Sequence, residues 1–269
     1  MMSNESSRPS ITQADLQAGI DGGQFSLRYQ PKLDFELLNL KGFEALARWE
    51  HPIYGQIMPS EFIPVAEETG LIGRLTELVV DQAFRWYKTT PGAQGHSLSI
   101  NFSAKRLSNL DFSNWLYEIC RRAAIRPDTV ILEITEAGMM EQRLLAHDMF
   151  DRLRGRGFQI AIDDYGVGPS SKLLLQRLPI NEIKIDTSFG IKATTSQEAR
   201  DFIKATVDFG HSYKIKVAVG GVEDQDTLNY LRSIGVDYAY GFLISRPMTA
   251  EQSAEWILHR RQLTKNLLF

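Results

Sequence analysis

The sequence predicts an α/β protein built as a TIM-like (β/α)8 barrel, on three observations. Short Val- and Ile-rich segments bounded by turns alternate with helical patterns along the chain. Eight such segments can be counted, enough to close a sheet rather than leave it open. The length, 269 residues, is long for an ordinary single domain and normal for one such barrel.

Taken in order, residues 1–11 are polar and read as a disordered tail, and 12–269 as a single domain, because no later Pro/Gly/Ser-rich linker interrupts it. Thr12 to Ile20 reads as a short helix stopped at Gly22-Gly23. The strand candidates are 25–33, 40–49, 97–103, 129–136, 158–164, 182–186, 214–219 and 236–242. Between them lie the amphipathic stretches LTELVVDQAFRWY, FSNWLYEICRRA, RLLAHDMFDRLRGRG, SQEARDFIKATVDFGHSY and DQDTLNYLRSIG. Alternation of this kind implies a mainly parallel sheet. No GxGxxG follows the first strand, which weakens a dinucleotide-binding reading.

Composition narrows the function. Thirty basic residues against 33 acidic ones give a net charge of −3, so no strong field recruits nucleic acid or an anionic membrane. The opening MMSNESSRPS has no apolar core, so no signal peptide is expected, and no run is long enough to span a bilayer. The one cysteine, Cys120, excludes an internal disulfide and fits a reducing, cytoplasmic setting. His51, between Glu50 and Pro52, reads as a packing or hydrogen-bonding residue, Glu67-Glu68 as a solvated helix end, and the apolar tail Leu267-Leu268-Phe269 as a segment that could dock on the barrel or a partner.

In a barrel of this type chemistry gathers at the C-terminal ends of the strands. Standing there are Glu44, Asn101, Glu133, Asp163 with Asp164, Lys184, Gly220 and Tyr240. Glu44, Asn101, Glu133 and Asp163 offer hard oxygen atoms in apolar strand contexts, where an unpaired carboxylate is costly. Any one of them alone fits a helix cap or an ion-pair partner. Four at successive strand ends fit a Mg²⁺ or Mn²⁺ site better. The adjacent pair Asp163-Asp164 could bridge two ions, which would clamp a phosphodiester and generate a hydroxide. Lys184 could orient that water or meet a phosphate oxygen.

The stretches YQPKLD, GFEALARWEHPIYGQIMPSEFIPVAEETGLI, INFSAKRL, LEITEAG, IDDYGVGPSS, LPINEIKID and GFLISRP follow one another in an order that resembles the EAL domain family of bacterial cyclic di-GMP phosphodiesterases, over residues ~25–258. The wording of 144–190 resembles most the EAL domains that serve as response-regulator outputs. The resemblance implies a barrel with one antiparallel strand. It implies that Glu44, Asn101, Glu133 and Asp163 hold a first metal, that Asp163 bridges, and that Asp164 holds a second. Lys184 would touch the nucleophilic water, Leu46 would pack near a guanine, Arg48 would contact a phosphate, and Gln30 would line the pocket. Glu136 would brace the loop after Asp164, Glu223 matches the second glutamate of E-G-V-E, and Glu67 would lie near the site. A homodimer through that loop is a further implication.

This chain departs from the family in one region. E-G-V-E reads Gly220-Gly221-Val222-Glu223, so the glutamate that binds the second metal in the family is a glycine. Q-G-Y reads Tyr240-Gly241-Phe242, and the D-D-F-G-T-G-Y-S-S loop carries Val167 and Pro169 in place of Thr and Tyr. The expectation is therefore a degenerate EAL domain that binds cyclic di-GMP as a receptor with little or no hydrolysis. The alternatives are an active phosphodiesterase that makes pGpG, and a nucleotide-free domain that regulates an unknown protein partner.

Overall fold

The computed structural model of the protein describes residues 10–36, 39–168 and 172–266, with side chains as far as residue 260. Residues 1–9 of the tail expected at 1–11, the apolar end at 267–269, and Pro169-Ser170-Ser171 lie outside the described residues. Thr12 caps a helix, Gln13–Asp21, by a reciprocal pair of hydrogen bonds with Asp15.

Nine strands follow: β1 (Phe25–Asp34), β2 (Asn39–His51), β3 (Gly55–Ile57), β4 (Ser97–Asn101), β5 (Val130–Thr135), β6 (Gln159–Tyr165), β7 (Glu182–Ile185), β8 (Lys216–Val219) and β9 (Tyr238–Ala239). All but β3 close into a barrel, in the order β1-β2-β4-β5-β6-β7-β8-β9, with β9 returning to β1. The neighbours from β2 through β9 run parallel, while β1 is antiparallel to both β2 and β9. Only residues 35–38 separate β1 from β2, too few for the crossover that a parallel pair needs. The parallel strands are apolar on both faces, as in VILEI of β5 and VAV of β8, because helices cover the outside.

Two elements differ from the sequence expectation. β3 pairs with β2 outside the barrel as a three-residue hairpin arm, too short to leave a periodic signal. The last strand, expected over 236–242, shrinks to Tyr238–Ala239, because β1 pairs next through Tyr29 with Met248 rather than with residue 240.

Aromatic side chains fill the layer between barrel and helices, with Phe25 stacked on Trp49 at 5.1 Å and Tyr29 on Trp86 at 3.9 Å. Cys120 belongs to this layer, and burial pushes its thiol up to about 12. His51 is also structural, since its Nδ1 accepts from the backbone of Ile53 and Tyr54. The lower barrel interior holds a buried ion pair between Lys32 and Glu182, with Lys32 over the Tyr238 ring. Removing one partner of such a pair strands a buried charge, so Glu182→Gln should lower stability by about 3–5 kcal/mol in urea unfolding. A loss under about 1 kcal/mol would mean that water reaches Lys32.

Candidate functional site

The upper barrel interior is built by strand alternation. Glu44, Asn101, Glu133, Asp163 and Lys184 each fall on the inward parity of their strand, and the register sets Asn101 beside Glu133. The Lys184 ammonium stands among three carboxylates, 2.9 Å from Glu44 Oε2, 3.0 Å from Asp163 Oδ2, and hydrogen-bonded to Glu133 Oε2. Asn101 Nδ2 donates to Glu44 Oε1 at 3.0 Å. Glu133 and Lys184 are almost wholly buried.

The electrostatics follow from three acids sharing one base. Burial disfavours the charge of Lys184, but Asp163, Glu133 and Glu44 together hold its pKa well above the ordinary value. Burial pushes Glu133 up to about 8, and the neighbouring Glu44 adds to it against the pull of Lys184. Burial also raises Asp163. Burial opposes the Glu44 charge as well, yet Lys184 and the Asn101 amide bring its carboxyl below the usual range. One ammonium does not balance three carboxylates, and after burial the charge of Glu44 is the next cause that raises Glu133.

This donor set fits a hard divalent cation. Ligand atoms of Glu44, Glu133 and Asp163 lie within 4.8 Å of one another. Glu133 Oε1 is buried with no hydrogen-bond partner, an orphan acceptor that a cation would satisfy. Asn101 adds a neutral oxygen beside them.

Asp164 is set apart by a β-bulge. Ile162 pairs with Ile183 but Tyr165 with Ile185, so one extra residue is inserted at Asp163-Asp164. Asp164 takes φ +53 and its N–H donates back to Asp163 Oδ1 at 2.9 Å. It remains open to solvent, while the protein crowding its carboxyl, then Asp163 and Asp186, pushes it up to about 6. In the loop that follows, Gly166 N–H donates to Glu136 Oε2 at 3.0 Å.

The opposite side of the mouth is different. A Cβ added at Gly220 would lie 2.6 Å from Thr187 Cγ2 and 2.6 Å from Tyr240 Cε2. The Tyr240 ring thus fills the space into which a side chain at 220 would grow. That ring is buried, with Lys184 Nζ 5.2 Å from its centroid. Glu223 is exposed in the loop after β8 and is not one of the three converging acids.

On β1 and β2, Gln30 sits opposite Glu44 and donates to Ser245 O at 3.2 Å. Leu46 and Arg48 continue the inward face of β2 above Glu44, half-buried. A pocket of about 380 Å³ opens beside Asn101 and Glu133, walled by Phe62, Ser103 and Gly138. Glu67 lines it too and accepts from Ser103 Oγ at 2.5 Å, so it is half-buried rather than a fully solvated helix end. Sequence reasoning passed over Asp186, which caps the helix Thr187–Ile191 and faces Asp164. Its signal was an acid at a strand end two residues after Lys184.

Comparison with known proteins agrees with this architecture. The EAL domain family model matches residues 13–247. MucR, a bifunctional diguanylate cyclase/cyclic di-GMP phosphodiesterase of Pseudomonas aeruginosa, is 35% identical over 240 residues, covering 88% of this chain and 35% of that protein. The oxygen sensor protein DosP of Escherichia coli is 34% identical over 246 residues, covering 91% of this chain and 31% of that protein. The chain thus spans about a third of the length of these curated relatives. The solved PaMucR phosphodiesterase in complex with c-di-GMP superposes with a TM-score of 0.83 at 34% identity, over 89% of this chain and 98% of that one. The EAL enzyme Bd1971, bound to cAMP and cyclic di-GMP, superposes with a TM-score of 0.85 at 26% identity, over 91% of this chain and 67% of that one. With the family model covering the barrel from its first helix to the loop before Met248, this chain belongs to the EAL domain family.

Proposed function

We propose that this domain binds cyclic di-GMP as a receptor and hydrolyses it slowly or not at all. The observation that carries the reading is the Tyr240 ring in the space beside Gly220. A second cation would there meet an apolar ring and a residue without a side chain. Glu44, Asn101, Glu133 and Asp163 would hold one Mg²⁺ or Mn²⁺, whose chemistry is to polarise a phosphodiester oxygen and acidify a bound water. Lys184 would keep the three acids charged and together, and meet a phosphate oxygen. Glu136, through Gly166 N–H, would fix the loop beside Asp164.

Losing a catalytic metal ligand costs about 10²–10⁴-fold in rate, whereas nucleotide binding needs only contacts that remain. Leu46 offers an apolar face to a base, and Arg48 a half-buried guanidinium to a phosphate. Arg48→Ala should therefore weaken cyclic di-GMP binding by about tenfold or more in calorimetric titration. Unchanged affinity would remove the nucleotide from this face. The second reading, an active phosphodiesterase producing pGpG, is supported by the activity named for MucR, at 35% identity. It requires Asp164, Asp186 or Glu223 to do the work of the missing glutamate.

A further inference from the structure

Arg28 lies on the inward face of β1, directly opposite Leu46 on β2, and is half-buried. Arg48 stands two residues further along β2, diagonal to it. Diagonal positions of an antiparallel pair lie about 7–8 Å apart, within reach of long side chains. The two arginines are therefore the inward-facing neighbours of Leu46, one across the strand pair and one along β2. They feel each other: after burial, the charge of Arg28 is the next cause that depresses Arg48.

Among the described residues neither is drawn into an ion pair with a carboxylate. Arg48 Nη1 donates to its own neighbour, Ala47 O, at 2.8 Å. The acid that senses Arg28, Glu251, is fully exposed at the start of the terminal helix. The charge of Glu44 offsets part of this at Arg48 without forming an ion pair, and two like charges held side by side are otherwise unfavourable. They become favourable when an acceptor-rich ligand lies between them.

We infer that Arg28 reads the O6 and N7 edge of a guanine lying on Leu46, while Arg48 takes a phosphate. The inference rests on the proposed binding of cyclic di-GMP. Leu46 is the apolar platform, so the position facing it across the strand pair meets the edge of a base rather than its backbone. The guanidinium fork matches the two acceptors of guanine, and adenine presents an amino donor in place of O6. Arg28 is then a specificity-determining residue, absent from the set implied by family resemblance.

The test titrates cyclic di-GMP and cyclic di-AMP, each in Ca²⁺, into wild type, Arg28→Ala, Arg28→Lys and Arg48→Ala. Arg28→Ala should weaken cyclic di-GMP about ten- to a hundredfold and leave cyclic di-AMP nearly unchanged. Arg28→Lys, which keeps the charge and loses the fork, should lose most of the same discrimination and guards against a folding defect in the alanine variant. Arg48→Ala should weaken both nucleotides alike, as a phosphate contact does. Equal weakening of both by Arg28→Ala would make Arg28 a phosphate anchor and overturn base reading. No effect of Arg28→Ala on a wild type that binds would overturn this inference alone. A wild type that binds no cyclic di-GMP would overturn the proposed function and the inference with it.

Discussion

Gly220→Glu combined with Tyr240→Gln should raise cyclic di-GMP hydrolysis by about 10²–10⁴-fold, read as pGpG by chromatography. Gly220→Glu alone should raise it little. The reason is steric: the first atom of any side chain at 220 falls 2.6 Å from Thr187 Cγ2 and from the Tyr240 ring. Forcing it in costs about 1–3 kcal/mol of overpacking, so the single variant should also melt lower than wild type. Replacing Tyr240 by glutamine removes the ring from that space and returns a polar group, leaving the Thr187 methyl as the close contact that must shift. The two changes should therefore be strongly non-additive in both stability and rate, as expected for residues in contact. A single Gly220→Glu variant that is fully stable and active would show that Tyr240 yields without cost.

Lys184→Ala should be the most destabilising single change at the site when metal is removed. Its ammonium touches Glu44, Glu133 and Asp163 in a nearly dry interior. Deleting the one base leaves three acids facing each other, a loss of about 3–5 kcal/mol for an unpaired buried charge. For a domain of this size that lowers Tm by about 10 °C in EDTA. Mn²⁺ should restore much of the loss, because a cation bound by the same carboxylates stabilises the folded state by mass action. Scanning calorimetry in EDTA and in Mn²⁺ reads both effects. A variant that melts with wild type in EDTA would mean that the acids are already neutral or solvated without Lys184.

Much of this site is legible in the sequence for a simple reason. In a parallel barrel, side chains near the strand ends that share the inward parity must meet, so Glu44, Asn101, Glu133, Asp163 and Lys184 can be gathered from strand assignments alone. The antiparallel β1 follows from its short link to β2. Other features depend on contacts between segments far apart in the chain. That Tyr240 fills the space beside Gly220 needs the relative placement of two loops, which no local period encodes. The Ser103–Glu67 bond and the pairing of Tyr29 with Met248 are of the same kind. The bulge that turns Asp164 out of line is hidden because FQIAIDDY reads as one uninterrupted strand, with no residue that marks an insertion.

The most direct measurement is calorimetric titration of the wild-type protein with cyclic di-GMP in Mg²⁺ and in Ca²⁺, followed by chromatography of the recovered nucleotide. The account predicts saturable binding in both metals, abolished or strongly weakened by Arg48→Ala, with cyclic di-GMP recovered intact. Quantitative conversion to pGpG in Mg²⁺, or no binding in either metal, would contradict it.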